Sequence, residues 1–143
     1  MDRAERVKRL VEHAKSDTYR GALADADVSQ PGGSPECGGS VTVYLKGGAG
    51  EGIEALSFTG EGDTISMGSA SILMQRVHDE DLDMQQVLDF DYDAFVEDVG
   101  REVVGSRTRN ATLALSTLKN AIKRYRRETN AAGAQSMTGA ACS

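Results

Sequence analysis

The 143-residue chain has few of the residues on which several classes of small protein depend. It contains two cysteines, two histidines, two prolines and no tryptophan. With cysteine only at Cys37 and Cys142, neither a disulfide framework nor a standalone structural zinc site is expected. No apolar run approaches the roughly 18 residues of a membrane span. The N-terminal segment is charged and unlike a secretory signal, so we expect a cytoplasmic protein.

The charge of the chain is negative and unevenly placed. Its 22 acidic and 16 basic residues give a net charge of −6, which argues against a general nucleic-acid binder. Acidic residues dominate the segment 79–102, whereas the segment 107–127 carries basic residues and no acid. Such blocks are typical of solvated faces, and they also suit complementary patches for a protein partner.

Hydrophobic patterning predicts a helix, a group of strands and then further helices. Val41, Val43 and Leu45 alternate with polar residues, which predicts a strand over 40–46. The glycine-rich segment 47–52 lacks the Gly-Lys-Ser/Thr ending of a phosphate-binding loop, so it is predicted to be a hairpin turn. The other predicted elements are a helix at 2–15, a first strand at 23–28, a loop at 30–34, a strand at 53–59, and helices at 64–77, 83–88, 92–99 and 106–127.

This order of elements predicts an α+β fold, with a small antiparallel sheet of about three strands and helices packed on one face. The length suits one domain with one core, which we place at 1–129. The segment 130–143 is small and polar without periodicity, so it is predicted to be a disordered C-terminal tail that carries Cys142.

Three short stretches lie at predicted loops around this sheet. They are Pro35-Glu36-Cys37-Gly38, then Gly60-x-Gly62-Asp63-x-Ile65-Ser66 followed by Ser69-Ala70-Ser71, and finally Arg107-x-x-Asn110-Ala111-x-Leu113-Ala114. In this order and spacing they resemble the IscU/SufU/NifU N-terminal family of iron–sulfur cluster assembly scaffolds. The resemblance runs from about residue 10 to about residue 126.

The resemblance implies a site. In that family, cysteines on three loops, the first in a Cys-Gly-Asp sequence, hold zinc or a nascent [2Fe–2S] cluster and accept sulfur from a cysteine desulfurase. The first cysteine is kept here as Cys37, the second position is Asp63, the third is Asn110, and Gly39 replaces the aspartate. The implied roles are Cys37 as sulfur acceptor and Cys37, Asp63 and Asn110 as metal ligands. The implied cofactors are a [2Fe–2S] cluster, iron or zinc, in a site that is degenerate because two of the three cysteines are replaced.

Each of these residues also has a structural interpretation. Asp63 immediately precedes a predicted helix, where aspartate is a favoured N-cap. Asn110, near the start of the last helix, suits a cap or a surface position. Cys37 is either a functional thiol or a tolerated one, and its neighbouring glycines leave it accessible for persulfide transfer.

The sequence contains no arrangement of nucleophile, base and oxyanion donors, so we expect no enzyme. Ser71 has no histidine or aspartate at a spacing suited to a hydrolase triad. His13 and His78 are expected at solvated helix ends.

Two functions of different classes follow. The first is a degenerate assembly scaffold that binds iron or zinc, or accepts persulfide sulfur, through Cys37. The second is a ligand-free paralogue that acts as an interaction or regulatory module for cysteine desulfurase or cluster carriers. The expected partners are cysteine desulfurase or other iron–sulfur assembly proteins and a second copy of the chain in a homodimer, with no membrane and no nucleic acid.

Overall fold

The computed structural model describes residues 1–34, 36 and 38–138, with side chains to residue 130. The predicted α+β class is confirmed, because one three-stranded antiparallel sheet is combined with helices. In chain order the elements are α1 (Arg3–Lys15), β1 (Val28–Ser34), β2 (Gly39–Gly47), β3 (Ile53–Gly62), α2 (Thr64–Asp79), α3 (Met84–Leu88), α4 (Tyr92–Val99), α5 (Arg101–Val104) and α6 (Thr108–Thr138). Within the described residues, no helix combines the length and apolar content needed to cross a membrane.

The sheet has β2 at its centre, flanked by β1 and β3. Val43 of β2 pairs with Gln30 of β1 and with Phe58 of β3. Alternate residues of β2 are buried, because α2 and α6 cover one face of the sheet and α1 packs against α2. The largest buried side chains come from both layers and include Val43, Leu45, Phe58, Leu73, Met74, Met84, Phe95, Leu115, Leu118 and Ile122.

Strand β1 lies later in the chain than predicted. The sequence suggests a strand at 23–28 and a loop at 30–34, but the strand is Val28–Ser34. Pro31 is tolerated because β1 is an edge strand that pairs only with β2. Gly32 is required by α6, since a Cβ atom there would overlap the side chain of Thr117. Both residues resemble loop residues in isolation, and tertiary packing explains why they belong to a strand.

Helix α2 uses its small residues for close packing. A Cβ atom at Gly68 would lie 2.6 Å from the carbonyl oxygen of Leu10, so α1 and α2 touch backbone to backbone there. The side chain of Ser66 packs closely against Gly39 and Gly62 of the sheet. The start of α2 is therefore held close to the ends of β2 and β3.

The helices after α2 differ from the predictions in two places. Helix α5 was not predicted, because its four residues between Gly100 and Gly105 are too few to show periodicity. Helix α6 continues to Thr138, so the predicted tail at 130–143 differs from the structure over 130–138. Alanine and glutamine in this segment favour a helix without an apolar stripe. Residues 139–143, including Cys142, lie outside the described residues, and the domain boundary at 129 stays a prediction.

Several basic side chains of α6 join it to the rest of the fold. Lys119 is only 9% exposed, donates from Nζ to the carbonyl oxygen of Phe90 at 2.5 Å, and lies 4.2 Å from the ring centroid of Tyr92. Arg124 donates to the carbonyl oxygen of Ser29 on the edge strand, at 3.0 Å. The interpretation of this block as a solvated face is therefore wrong for Lys119.

Replacing Gly32 with alanine should destabilise the fold by about 1–3 kcal/mol, because the new methyl group would push α6 away from β1. Gly48→Ala is the matched control in the hairpin turn, where a Cβ atom would have only an ordinary contact, 3.5 Å from the Glu54 nitrogen. We expect the control to change stability by less than about 0.5 kcal/mol in urea unfolding. Equal losses in the two variants would contradict this account of β1.

Candidate functional site

The starts of α2 and α6 meet at one end of the sheet. Asp63 stands directly before α2, and Asn110 lies in the first turn of α6. Although they are 47 positions apart, Asn110 donates from Nδ2 to Oδ2 of Asp63 at 3.0 Å. The structure thus brings together two of the three residues that the resemblance assigns to the site.

The loop before β2 approaches the same pair. Gly38 has a φ of +96°, and a Cβ atom there would lie 2.8 Å from Nδ2 of Asn110. The Gly38 carbonyl oxygen accepts the backbone N–H of Asp63 at 3.4 Å. Cys37 precedes Gly38 in the sequence but lies outside the described residues, so its role as sulfur acceptor and metal ligand stays a prediction.

Asp63 is the helix cap that the sequence suggests. Its Oδ1 accepts the backbone N–H of Ser66 at 2.8 Å, which satisfies one free donor at the start of α2. Its Oδ2 accepts from Asn110 and also from Nη1 of Arg107 at 3.1 Å. Both carboxylate oxygens therefore already have donors from the protein.

The surroundings of Asp63 favour its charged form. Partial burial alone would raise the pKa of the carboxyl group. The opposing effects of Ser66, the Asn110 amide and the positive charge of Arg107 are together larger, and they hold the pKa below its ordinary value. The site therefore contains a fixed negative charge that is neutralised by Arg107.

Sequence reasoning missed the role of Arg107. This residue opens the third of the motif stretches, but no function was attached to it. Its position three residues before Asn110 places both side chains on the same carboxylate. The sequence did contain a signal for this role, because Arg107 lies about one helical turn before Asn110, which the resemblance assigns as a ligand.

The geometry fits hydrogen bonding better than metal ligation. Asn110 turns the donor end of its amide towards Asp63, and an amide nitrogen is not a metal ligand. At Gly39, where the resemblance places the family aspartate, a Cβ atom would lie 3.0 Å from the Ser66 hydroxyl, a tight contact that would require Ser66 to shift slightly. In residues 1–34, 36 and 38–138, no three His, Cys, Asp or Glu side chains are grouped to hold a metal ion.

The histidines make contacts that the sequence did not suggest. Nδ1 of His13 lies 2.8 Å from the hydroxyl of Ser71, between α1 and α2. The ring of His78 stacks on Tyr19, with 4.9 Å between centroids. The expectation of a solvated helix end is therefore wrong for His13. Ser71 is buried and offers no accessible nucleophile, so the pair does not form a hydrolase site.

Removal of the Asp63 charge should have a pH-dependent cost. Asp63→Asn keeps a capping oxygen but loses the ion pair with Arg107, whereas Asp63→Ala loses both and should cost about 1 kcal/mol or more at neutral pH. Because the folded pKa is depressed, the charge stabilises the fold above the ordinary carboxyl value of 3.8, and this stabilisation is lost as the pH falls through the folded pKa. Urea unfolding should therefore show a difference between parent and Asp63→Asn that shrinks in acid.

The control for this series is Asp17→Asn, at an exposed position between α1 and β1. This control should change the free energy of unfolding little, both at neutral pH and in acid. A difference between parent and Asp63→Asn that grows in acid would contradict the assignment of Asp63 as a stabilising carboxylate.

Comparison with known proteins agrees with the fold and with the family resemblance. A family model described as the NifU-like N terminal domain matches residues 5–132. The iron–sulfur cluster assembly scaffold protein IscU of Thermotoga maritima is 31% identical over 111 residues, which cover 78% of this chain and 75% of that protein.

Solved structures share the fold at lower identity. A putative iron–sulfur cluster assembly scaffold protein for the SUF system from Fervidobacterium islandicum AW-1 superposes with a TM-score of 0.62 at 19% identity, covering 80% of this chain and 94% of that one. A NifU-like protein (N-terminal) from Brucella abortus gives a TM-score of 0.65 at 19% identity, covering 85% and 94%. Since the family model spans most of the residues and the IscU protein is similar over two thirds of both chains, this chain belongs to the IscU/SufU/NifU family of NifU-like N-terminal domains.

Proposed function

We propose that this chain takes part in iron–sulfur cluster assembly by accepting sulfur as a persulfide on Cys37, without building a [2Fe–2S] cluster alone. As a member of a scaffold family it is not an enzyme. The observation that carries the proposal is that Asp63 accepts hydrogen bonds from Asn110 and Arg107. Asp63 and Asn110 stand at two positions where the family resemblance places cysteines.

The number of thiolates limits what one chain can hold. A [2Fe–2S] core needs four protein ligands, and soft thiolates suit it best. At the three family positions this chain offers one cysteine, a carboxylate and an amide, and the amide acts as a donor. Iron or zinc on Cys37 and Asp63, with water or with a second copy in a homodimer, would require Asp63 to leave its donors.

Sulfur acceptance requires only one thiolate. The Cys37 thiolate attacks the outer sulfur of a persulfide on a cysteine desulfurase, the S–S bond of the donor breaks, and the desulfurase leaves as a thiolate. Cys37 then carries the outer sulfur, with no net oxidation or reduction.

A second function remains, in which the chain is a ligand-free interaction module for cysteine desulfurase or cluster carriers. The observation that favours it is that Asp63, Arg107 and Asn110 satisfy one another without a metal. In this function the protein surface would matter and the thiol would not.

Cys37→Ser separates these functions. After incubation with a cysteine desulfurase and cysteine, mass spectrometry of the parent should show the addition of one sulfur atom, and the variant should show none. Cys142→Ser is the matched thiol control and should accept sulfur like the parent. Equal sulfur on the parent and on Cys37→Ser would overturn persulfide acceptance, and desulfurase binding that survives in that variant would then support the interaction module.

Restoring the thiolates should restore metal binding. The double variant Asp63→Cys/Asn110→Cys places three cysteines at the family positions, and we expect stoichiometric zinc or iron after anaerobic purification, against little metal in the parent. Adding Cys37→Ser to the double variant should reduce the metal content again. Stoichiometric iron and labile sulfide in the parent would contradict the proposal that it builds no cluster alone.

A further inference from the structure

A cavity of about 350 Å³ lies beside the Asp63–Asn110 pair, between the ends of β1 and β2 and the first turns of α6. Its polar lining comes from Ser66, Arg109, Asn110 and Ser116, and its apolar wall from Leu113. We propose that this cavity binds the oxyanion group of a small organic acid or phosphate ester. The proposal needs no contribution from Cys37 and is independent of sulfur acceptance.

The charge of the cavity is opposite to that of the protein. The chain has a net charge of −6, and three other cavities on its surface each include carboxylates, such as Glu61, Glu80 and Glu12. Among the described residues, the lining of this cavity has an arginine and no acid. Arg109 takes part in none of the ion pairs of the described chain. Its guanidinium group is therefore available to an anion.

The start of α6 adds a second positive contribution. The helix runs for 31 residues from Thr108, and the first backbone N–H groups of any helix have no acceptor within it. Here the first hydrogen bond of the helical pattern runs from the Ala111 nitrogen to the Arg107 carbonyl oxygen, at 3.1 Å. The backbone N–H groups of Arg109 and Asn110 come before it, so they have no acceptor within the helix. Such N–H groups and the helix dipole favour an oxyanion.

A buried hydroxyl group without a partner is the independent sign of a ligand. Ser66 lines the cavity and is 1% exposed, yet its Oγ has no hydrogen-bond partner in the described part of the chain. The Ser66 hydroxyl lies near enough to Asp63 to help lower the pKa of that carboxyl group, but the two groups do not have the geometry of a hydrogen bond. A buried hydroxyl that makes no hydrogen bond costs stability, so it needs an explanation. An oxyanion in the cavity would accept this hydrogen.

The size and the walls of the cavity indicate more than a bare ion. Its volume is at the lower end of the roughly 300–1,000 Å³ of small-molecule pockets. Gly33 contributes no side chain, and a Cβ atom there would lie 3.0 Å from Leu113, so the glycine keeps the apolar wall in place. A ligand with an oxyanion near Arg109 and a short apolar tail against Leu113 fits this lining.

Titrations followed by amide NMR shifts test the proposal, with inorganic phosphate and butyrate as the two ligands and sodium chloride at matched ionic strength as the reference. We expect saturable shifts at Ser66, Arg109 and Asn110 that sodium chloride does not produce. Tighter binding of phosphate would identify a phosphate ester, and tighter binding of butyrate a carboxylic acid. Shifts that do not saturate with either ligand, or that sodium chloride reproduces, would overturn the proposal.

Two pairs of variants assign the contacts. Arg109→Gln should weaken binding about tenfold or more, while Arg127→Gln, an exposed arginine of the same helix, should not. Ser66→Ala should weaken binding roughly two- to tenfold. Ser69→Ala is its control, because Ser69 is also a buried hydroxyl without a partner on α2 but does not line the cavity. Equal effects within either pair would overturn the assignment, and circular dichroism checks that each variant is folded.

Discussion

Close packing of α2 and α6 on one face of a three-stranded sheet is the constraint on which the rest of this structure depends. It requires positions without side chains, such as Gly32 against Thr117 and Gly68 against Leu10. With the helices this near, the starts of both helices and the loop before β2 arrive at the same end of the sheet. The candidate site is a consequence of this packing, because its residues are far apart in the sequence.

At that end, hydrogen bonds occupy the positions where the family resemblance places thiolates. Thiolates repel one another until a metal ion joins them, whereas Asp63, Asn110 and Arg107 attract one another directly. The described side chains at this end of the sheet therefore satisfy one another without a metal ion. Cys37 is the exception in the sequence, and sulfur acceptance is a reaction that a single thiol can perform.

The uneven charges are also used within the fold. Arg126 pairs with Glu51 of the hairpin turn, and Lys119 donates to the carbonyl oxygen of Phe90 between α3 and α4. Part of the basic block on α6 therefore stabilises the protein and is not available to a partner. Arg109 differs because it lines a cavity whose described residues include no carboxylate, which is why the proposed anion site lies there.

The sequence by itself determined the α+β class, the central hairpin, most helices and the capping role of Asp63, since these follow from local periodicity and from the preference of aspartate for helix starts. It did not determine β1, where Pro31 and Gly32 resemble a loop, because strand formation there depends on pairing with β2 and contact with α6. Nor did it show that Arg107 binds Asp63 or that His13 meets Ser71. Those contacts join residues distant in the chain, and only tertiary packing brings their atoms within hydrogen-bonding distance.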